Sequence, residues 1–200
     1  MVLAKSPKFT VAFSLKKRIV WFSGEVNARS ARKVISALKK LNKTRGPICF
    51  YLSGVGGDFK YCFMMGKEIQ NSPNQIIGVA HGQVISACFM LTQFFKVCVG
   101  VQGATFVFHR AVRESRITRD LMMSQDFLQR ELDRLRMVDA IQVALFYRRL
   151  NDFDRLFELL RSEKVLGLDE VIKLRLLDDH FNTKEFWADR RLMRAILKKG

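Results

Sequence analysis

The chain has 200 residues, 48% of them hydrophobic, which is enough for one domain with a real core and too apolar for a disordered chain. No run of 18 apolar residues escapes interruption by charge, so no transmembrane span is expected. The net charge is +16, from 35 Lys and Arg against 19 Asp and Glu, but the excess is spread along the chain without zinc-finger spacing or an RNA-binding aromatic signature, which disfavours a dedicated nucleic-acid binder.

The opening "MVLAKSPKF" has no long apolar segment and no cleavage site of the secretory kind. "FTVAFSLKKRIVWFSG" reads as two short strands joined by "LKK", the second near 18–22 and ending at Gly24. Residues 27–43 have helical spacing, with Val34, Ile35, Leu38 and Leu41 as the apolar stripe and Lys and Arg on the remainder. Ile48–Leu52 is a near-continuous apolar run, as in a strand covered on both faces. A turn at Gly56-Gly57 follows, then a helix through "DFKYCFMMGKEIQNS" that stops before Pro73. "QIIGVAHG" is a short buried strand, "SACFMLTQFFKVCVG" a helix running into a loop or strand, and "ATFVFHRAV" a strand.

This alternation of strand and helix is a βαβ pattern with crossovers of suitable length. From 117 to 148 the chain lacks glycine and proline and favours one long amphipathic helix. Its apolar set includes Leu121, Met122, Phe127, Leu128, Leu132, Leu135, Val138, Ile141 and Phe146. "DFDRLFELLRSE" and "LDEVIKLRLL" predict two shorter helices, and "TKEFWADRRLMRAILK" a basic amphipathic one. Cys49, Cys62, Cys88 and Cys98 lie in apolar contexts without paired ligand spacing, as buried free thiols in a reducing cytoplasm would.

Three features fall at the ends of these elements. Gly56-Gly57 serves either a tight turn or the close approach of a ligand backbone. Ser86 opens a helix that carries no charge until Lys96. It is either an N-cap or a nucleophile beside amides that stabilise an oxyanion. His109 ends an apolar strand one crossover later and is either a structural histidine or the base for that serine. An orienting carboxylate has three candidates, Glu163, Asp169 and Asp152, which spacing alone does not separate. His81 precedes Gly82 and is placed near the cleft, with no cysteine or carboxylate around it at metal-ligand spacing.

Together these residues resemble the proteolytic subunit of the ATP-dependent Clp protease, within the ClpP/crotonase superfamily. The resemblance runs from about Ile19 to Asp179. "FYLSGVGGDF" is similar to the family segment ending in Ser-Pro-Gly-Gly, with Gly54-Val55 in place of Ser-Pro and both glycines kept. "AHGQVISACFML" resembles the Gly-x-Ala-Ala-Ser-Met segment, matching Gly82 and Ser86 and carrying Ala87 at the methionine position. "ATFVFHR" resembles the strand that ends in the catalytic histidine, and "RSEKVLGLDEVIKLRLLDD" the segment that supplies the catalytic Asp, here Glu163. The signal-peptide peptidase branch uses Ser with Lys, but Lys96 is poorly placed for that work, so His109 favours the Clp type.

The resemblance implies an α/β fold, a ClpP/crotonase-like spiral of ββα units with a protruding handle helix over about 111–150. It implies a Clp-protease-like domain at 1–182 with a basic helical tail at 183–200. It implies a cytoplasmic serine endopeptidase with Ser86, His109 and Glu163 (or Asp169) as catalytic residues and the N–H groups of Gly57 and Ala87 as oxyanion hole. No cofactor or metal is called for. The implied partners are further copies in heptameric rings, an AAA+ ATPase unfoldase, and unfolded polypeptide as substrate, with no membrane and no nucleic acid. Two other expectations stand beside this one: an inactive structural or regulatory paralogue, and a basic nucleic-acid or protein binding module on the same fold.

Overall fold

The computed structural model describes residues 9–109 and 125–197. The architecture is α/β, with an open, mixed sheet. Strands β1 (Thr10–Ser14) and β2 (Ile19–Val26) form an antiparallel hairpin. β2, β3 (Ile48–Gly57), β4 (Ile76–Ile85) and β5 (Val97–Gly100) then run parallel in that order. Helices α1 (Ala28–Leu41), α2 (Phe59–Gln70) and α3 (Ala87–Thr92) connect successive parallel strands, the arrangement that parallel pairing requires.

β4 changes neighbour part way along. Its first half, Ile77–Ala80, pairs with β5, while Gln83–Ile85 pairs in parallel with β6 (Thr105–Val107). Gly82, with φ +59, stands between the two halves. β6 pairs antiparallel with β7 (Val165–Gly167), and β5 pairs with β8 (Asp179–His180). The remaining helices among the described residues are α4 (Gln125–Leu150), α5 (Phe153–Ser162), α6 (Leu168–Lys173) and α7 (Thr183–Leu197). None of the described helices is long and apolar enough to cross a membrane.

One face of the sheet carries the main core. Val34, Leu38 and Leu41 of α1 are fully buried there against Phe22, Phe50 and Leu52. Burial of each such side chain is worth about 1.5–3 kcal/mol. Ile35, the fourth member of the expected stripe, is only partly buried. Asn27 starts α1, its side chain accepting from Arg29 and Ser30 N–H groups while the Ser30 hydroxyl accepts from the Asn27 N–H. Such a cap is worth about 1 kcal/mol.

The other face is covered by α7. Phe186 reaches Trp21 and Tyr51 there, in a second cluster with Val79 and Val101. The period-2 alternation of β4 divides its side chains between the faces, Ala80 to the main core and Val79 to the second cluster.

The handle expectation meets a helix that begins, among described residues, at Gln125 and runs to Leu150. Arg119, Leu121 and Met122, like the rest of 110–124 and the tail beyond 197, lie outside the described residues. Phe146 is buried at the base of α4, whereas Leu128, Leu132 and Met137 are exposed. Arg149, at the end of α4, donates to Asp178 at 3.1 Å and to the Phe95 carbonyl at 3.0 Å. The Asp178 N–H donates to the Cys98 carbonyl, and its carboxylate accepts the Cys98 N–H at 2.6 Å. The base of the helix is thereby tied to the β5 edge.

Candidate active site

Ser86 sits at the junction of β4 and α3, half-buried, with φ 54 and ψ −122. A non-glycine residue in that region stores about 1–3 kcal/mol of strain and persists only where its surroundings over-determine it. Three contacts do so. The Ser86 N–H donates to the Val107 carbonyl on β6 at 3.0 Å, and its carbonyl accepts the Met90 N–H at 2.9 Å, the first turn of α3. Gly56 presses on it from β3, where an added Cβ would stand 2.6 Å from the Ser86 Cβ and 3.0 Å from the Ala87 nitrogen. The Ser86 side chain makes no capping hydrogen bond, so the N-cap alternative is not the one adopted. A strained strand-to-helix turn of this kind presents a serine hydroxyl ahead of the helix instead of folding it back onto the helix amides.

The sheet register brings the other candidates to the same end. Ile85 pairs with Val107, and His109 follows two residues later, half-buried. Val107 also pairs antiparallel with Val165, and Glu163 lies two residues before it. The β6–β7 pairing ends at Val107 and Val165, and His109 and Glu163 each lie two residues beyond that end. Glu163 is exposed and ends α5 in the left-handed conformation, φ 47. Asp169 is committed elsewhere: its carboxylate meets His180 Nε2 at 2.8 Å. Asp152 caps α5 by accepting the Arg155 N–H.

Gly56 and Gly57 are not a turn after β3 but its last two residues, with φ +92 and +137. A Cβ on Gly57 would collide with the Val26 carbonyl at 2.3 Å. The strand continues because its neighbour accommodates the glycines through an irregular register between Ser23 and Glu25.

Cys88 is the contributor that sequence reading treated only as a packed thiol. Its sulfur accepts the Gly56 N–H and lies 3.8 Å from the Gly24 carbonyl. Burial pushes this thiol up to about 12, so it is a neutral spacer wedged between β2, β3 and α3. Its position two residues after Ser86, on the first turn of a buried helix, was the available signal.

His81, expected near the cleft, lies on the opposite sheet face against Trp21 and Phe186. Alternation along β4 decides this, since His81 shares the parity of Val79. Among the described residues no group of three or more His, Cys, Asp or Glu side chains is arranged to hold a metal ion. A groove of about 760 Å³, lined in part by Asn74, Gln93, Lys96 and Arg148, lies at the start of β4 and β5, the end of the sheet away from Ser86.

No curated protein matches the chain. The family model described as Clp protease matches residues 7–142, a span that includes Gly56, Gly57, Ser86 and His109. The chain belongs to the Clp protease family.

Proposed function

We propose that the protein is a serine endopeptidase subunit of a self-compartmentalised protease, built on a crotonase-like spiral. The observation that carries this reading is the strained backbone of Ser86 with its N–H bound to Val107, two residues ahead of His109. In the proposed reaction the Ser86 Oγ attacks the carbonyl carbon of a peptide while His109 takes the hydroxyl proton. The tetrahedral oxyanion is held by the N–H groups of Gly57 and Ala87. Collapse breaks the C–N bond, and the proton on His109 passes to the leaving amine. Water, deprotonated by His109, then attacks the acyl-serine and releases Ser86 with its proton restored. Glu163 holds the imidazole in the tautomer that accepts from serine. A proton relay of this kind calls for no metal or cofactor.

The chamber rests on further copies of the chain. Leu128, Leu132 and Met137 are exposed on α4, and Phe153 and Phe157 on α5. A groove of about 540 Å³ between these helices is lined by Val143, Ala144, Tyr147, Phe153 and Phe157. Apolar surface of this extent suits contact with other subunits, two heptameric rings being the arrangement proposed. Enclosure restricts the substrate to unfolded chains and assigns unfolding to a separate AAA+ ATPase, in the cytoplasm. The domain would comprise 1–182, with 183–200 as an appended basic helix.

An inactive paralogue is the second reading, favoured by the exposure of Glu163 on a helix end. Hydrolysis of a fluorogenic peptide by the wild type and by His109→Ala separates the two. The peptidase reading expects turnover that falls at least 100-fold in the variant. Equal background rates in both proteins favour the paralogue.

A further inference from the structure

His81 is 8% exposed, and its Nε2 is buried with no hydrogen-bond partner among the described residues. Its ring is enclosed by aromatic rings: Trp21 at 4.6 Å between centroids, Phe186 at 5.1 Å and Tyr51 at 6.5 Å. Phe186 is 3% exposed and comes from α7, so the helix closes the enclosure. A second tie holds α7 in place, the Tyr51 hydroxyl donating to the Asp189 carboxylate at 2.6 Å. Arg190 of the same helix lies over the Phe186 and Trp187 rings.

We propose that α7 is a releasable strap on the sheet, docked while His81 is neutral and loosened when His81 takes up a proton. A buried imidazolium would need a partner for each of its N–H groups, and its Nε2 has none. The groups that face it do not supply one. β2 contributes Trp21 and β3 contributes Tyr51 and Cys49, all neutral, with Tyr51 already donating to Asp189. From α7 the cationic Arg190 acts on His81 and opposes a second positive charge, while Glu185 and Asp189 of the same helix act on Cys49, and Asp189 is held by Tyr51. Release of α7 returns His81 to water, where a proton is held at no cost.

The direction follows from linkage. Burial first, and the Arg190 charge second, push the docked His81 down to about 4 from an ordinary 6.5. The stabilisation of the docked helix is therefore complete above 6.5 and drains away as pH falls toward 4. Docking weakens on the order of tenfold between about pH 7.5 and about pH 5. The strap depends on nothing in the catalytic proposal, because His81 and Ser86 serve different surfaces of the sheet.

Hydrogen exchange read by mass spectrometry on the assembled protein tests this. The opening constant of the amides at 186–190, corrected for intrinsic exchange at each pH, is compared between about pH 7.5 and about pH 5, with β3 amides as the internal reference. The expected result is a rise on the order of tenfold in α7 and none in β3, abolished in His81→Leu. Arg190→Gln, which removes the opposing charge without touching the sheet, is expected to shrink the response and decides the matter if His81→Leu does not fold. An α7 opening constant that does not change with pH, or that changes equally in the variant, overturns the proposal.

Discussion

A Cβ placed on Gly56 would stand 2.6 Å from the Cβ of Ser86. Gly56 belongs to β3 and Ser86 follows the end of β4, so the glycine sets how near β3 approaches the start of α3. Gly56→Ala therefore forces β3 away from Ser86 and adds strain at φ +92. The expected cost is about 1–3 kcal/mol, with a melting temperature lower by several degrees. Gly103→Ala is the control: φ is +82 there as well, but no atom lies within 4 Å of the added methyl. It should lose stability through backbone strain alone and keep the reactivity of Ser86. Thermal denaturation and active-site labelling of both variants check this.

Two of the three carboxylate candidates, Glu163 and Asp169, are separated by substitution. Asp169→Asn should cost less than about 1 kcal/mol, because its pair with His180 is exposed on both sides. It should leave peptide hydrolysis unchanged. Glu163→Gln should lower kcat at least 100-fold with little change in KM, since a tautomer-holding group acts in the transition state more than in binding. Glu163→Asp should retain more activity than Glu163→Gln. Steady-state kinetics on the three variants decide the assignment.

The order of strands and helices from β1 to β6 was legible in the chain because periodicity and glycine punctuation are local signals, except at β5, Val97–Gly100, which the residues leave open between loop and strand. Ser86 and His109 were legible as element ends for the same reason. β7 and β8 were not, at three and two residues, because strands so short form only where another strand is already waiting. β3 and β4 were read too short, since glycines that mark turns in isolation are here the residues that let neighbouring strands and α3 come close. His81 was misplaced toward the cleft because its face depends on strand register across the whole of β4, and its aromatic lid comes from Phe186, more than a hundred residues away.

Thiol chemistry gives an independent check on the packing. Burial pushes Cys49 and Cys88 up to about 12, and Cys62 and Cys98 well above the ordinary thiol range. The native protein should resist iodoacetamide at about pH 8 at all four positions, and the denatured chain should take up four adducts, read by intact mass. Rapid native alkylation of Cys88 would mean that the wedge between β2, β3 and α3 is open.

Tyr51→Phe removes the hydroxyl that binds Asp189 while keeping the ring stacked on Trp21. The expected loss is about 1–2 kcal/mol. It should appear mainly as faster exchange of α7 amides, with β3 unaffected. A uniform loss of protection across the sheet would mean that α7 is an integral part of the core.

The central claim is that Ser86 is an activated nucleophile, and a fluorophosphonate probe tests it most directly. Peptide mapping of the labelled, assembled protein should find one phosphonylated residue, Ser86, with labelling absent in Ser86→Ala and strongly slowed in His109→Ala. Failure of the assembled wild type to form an adduct at Ser86, or equal labelling in His109→Ala, would contradict the account.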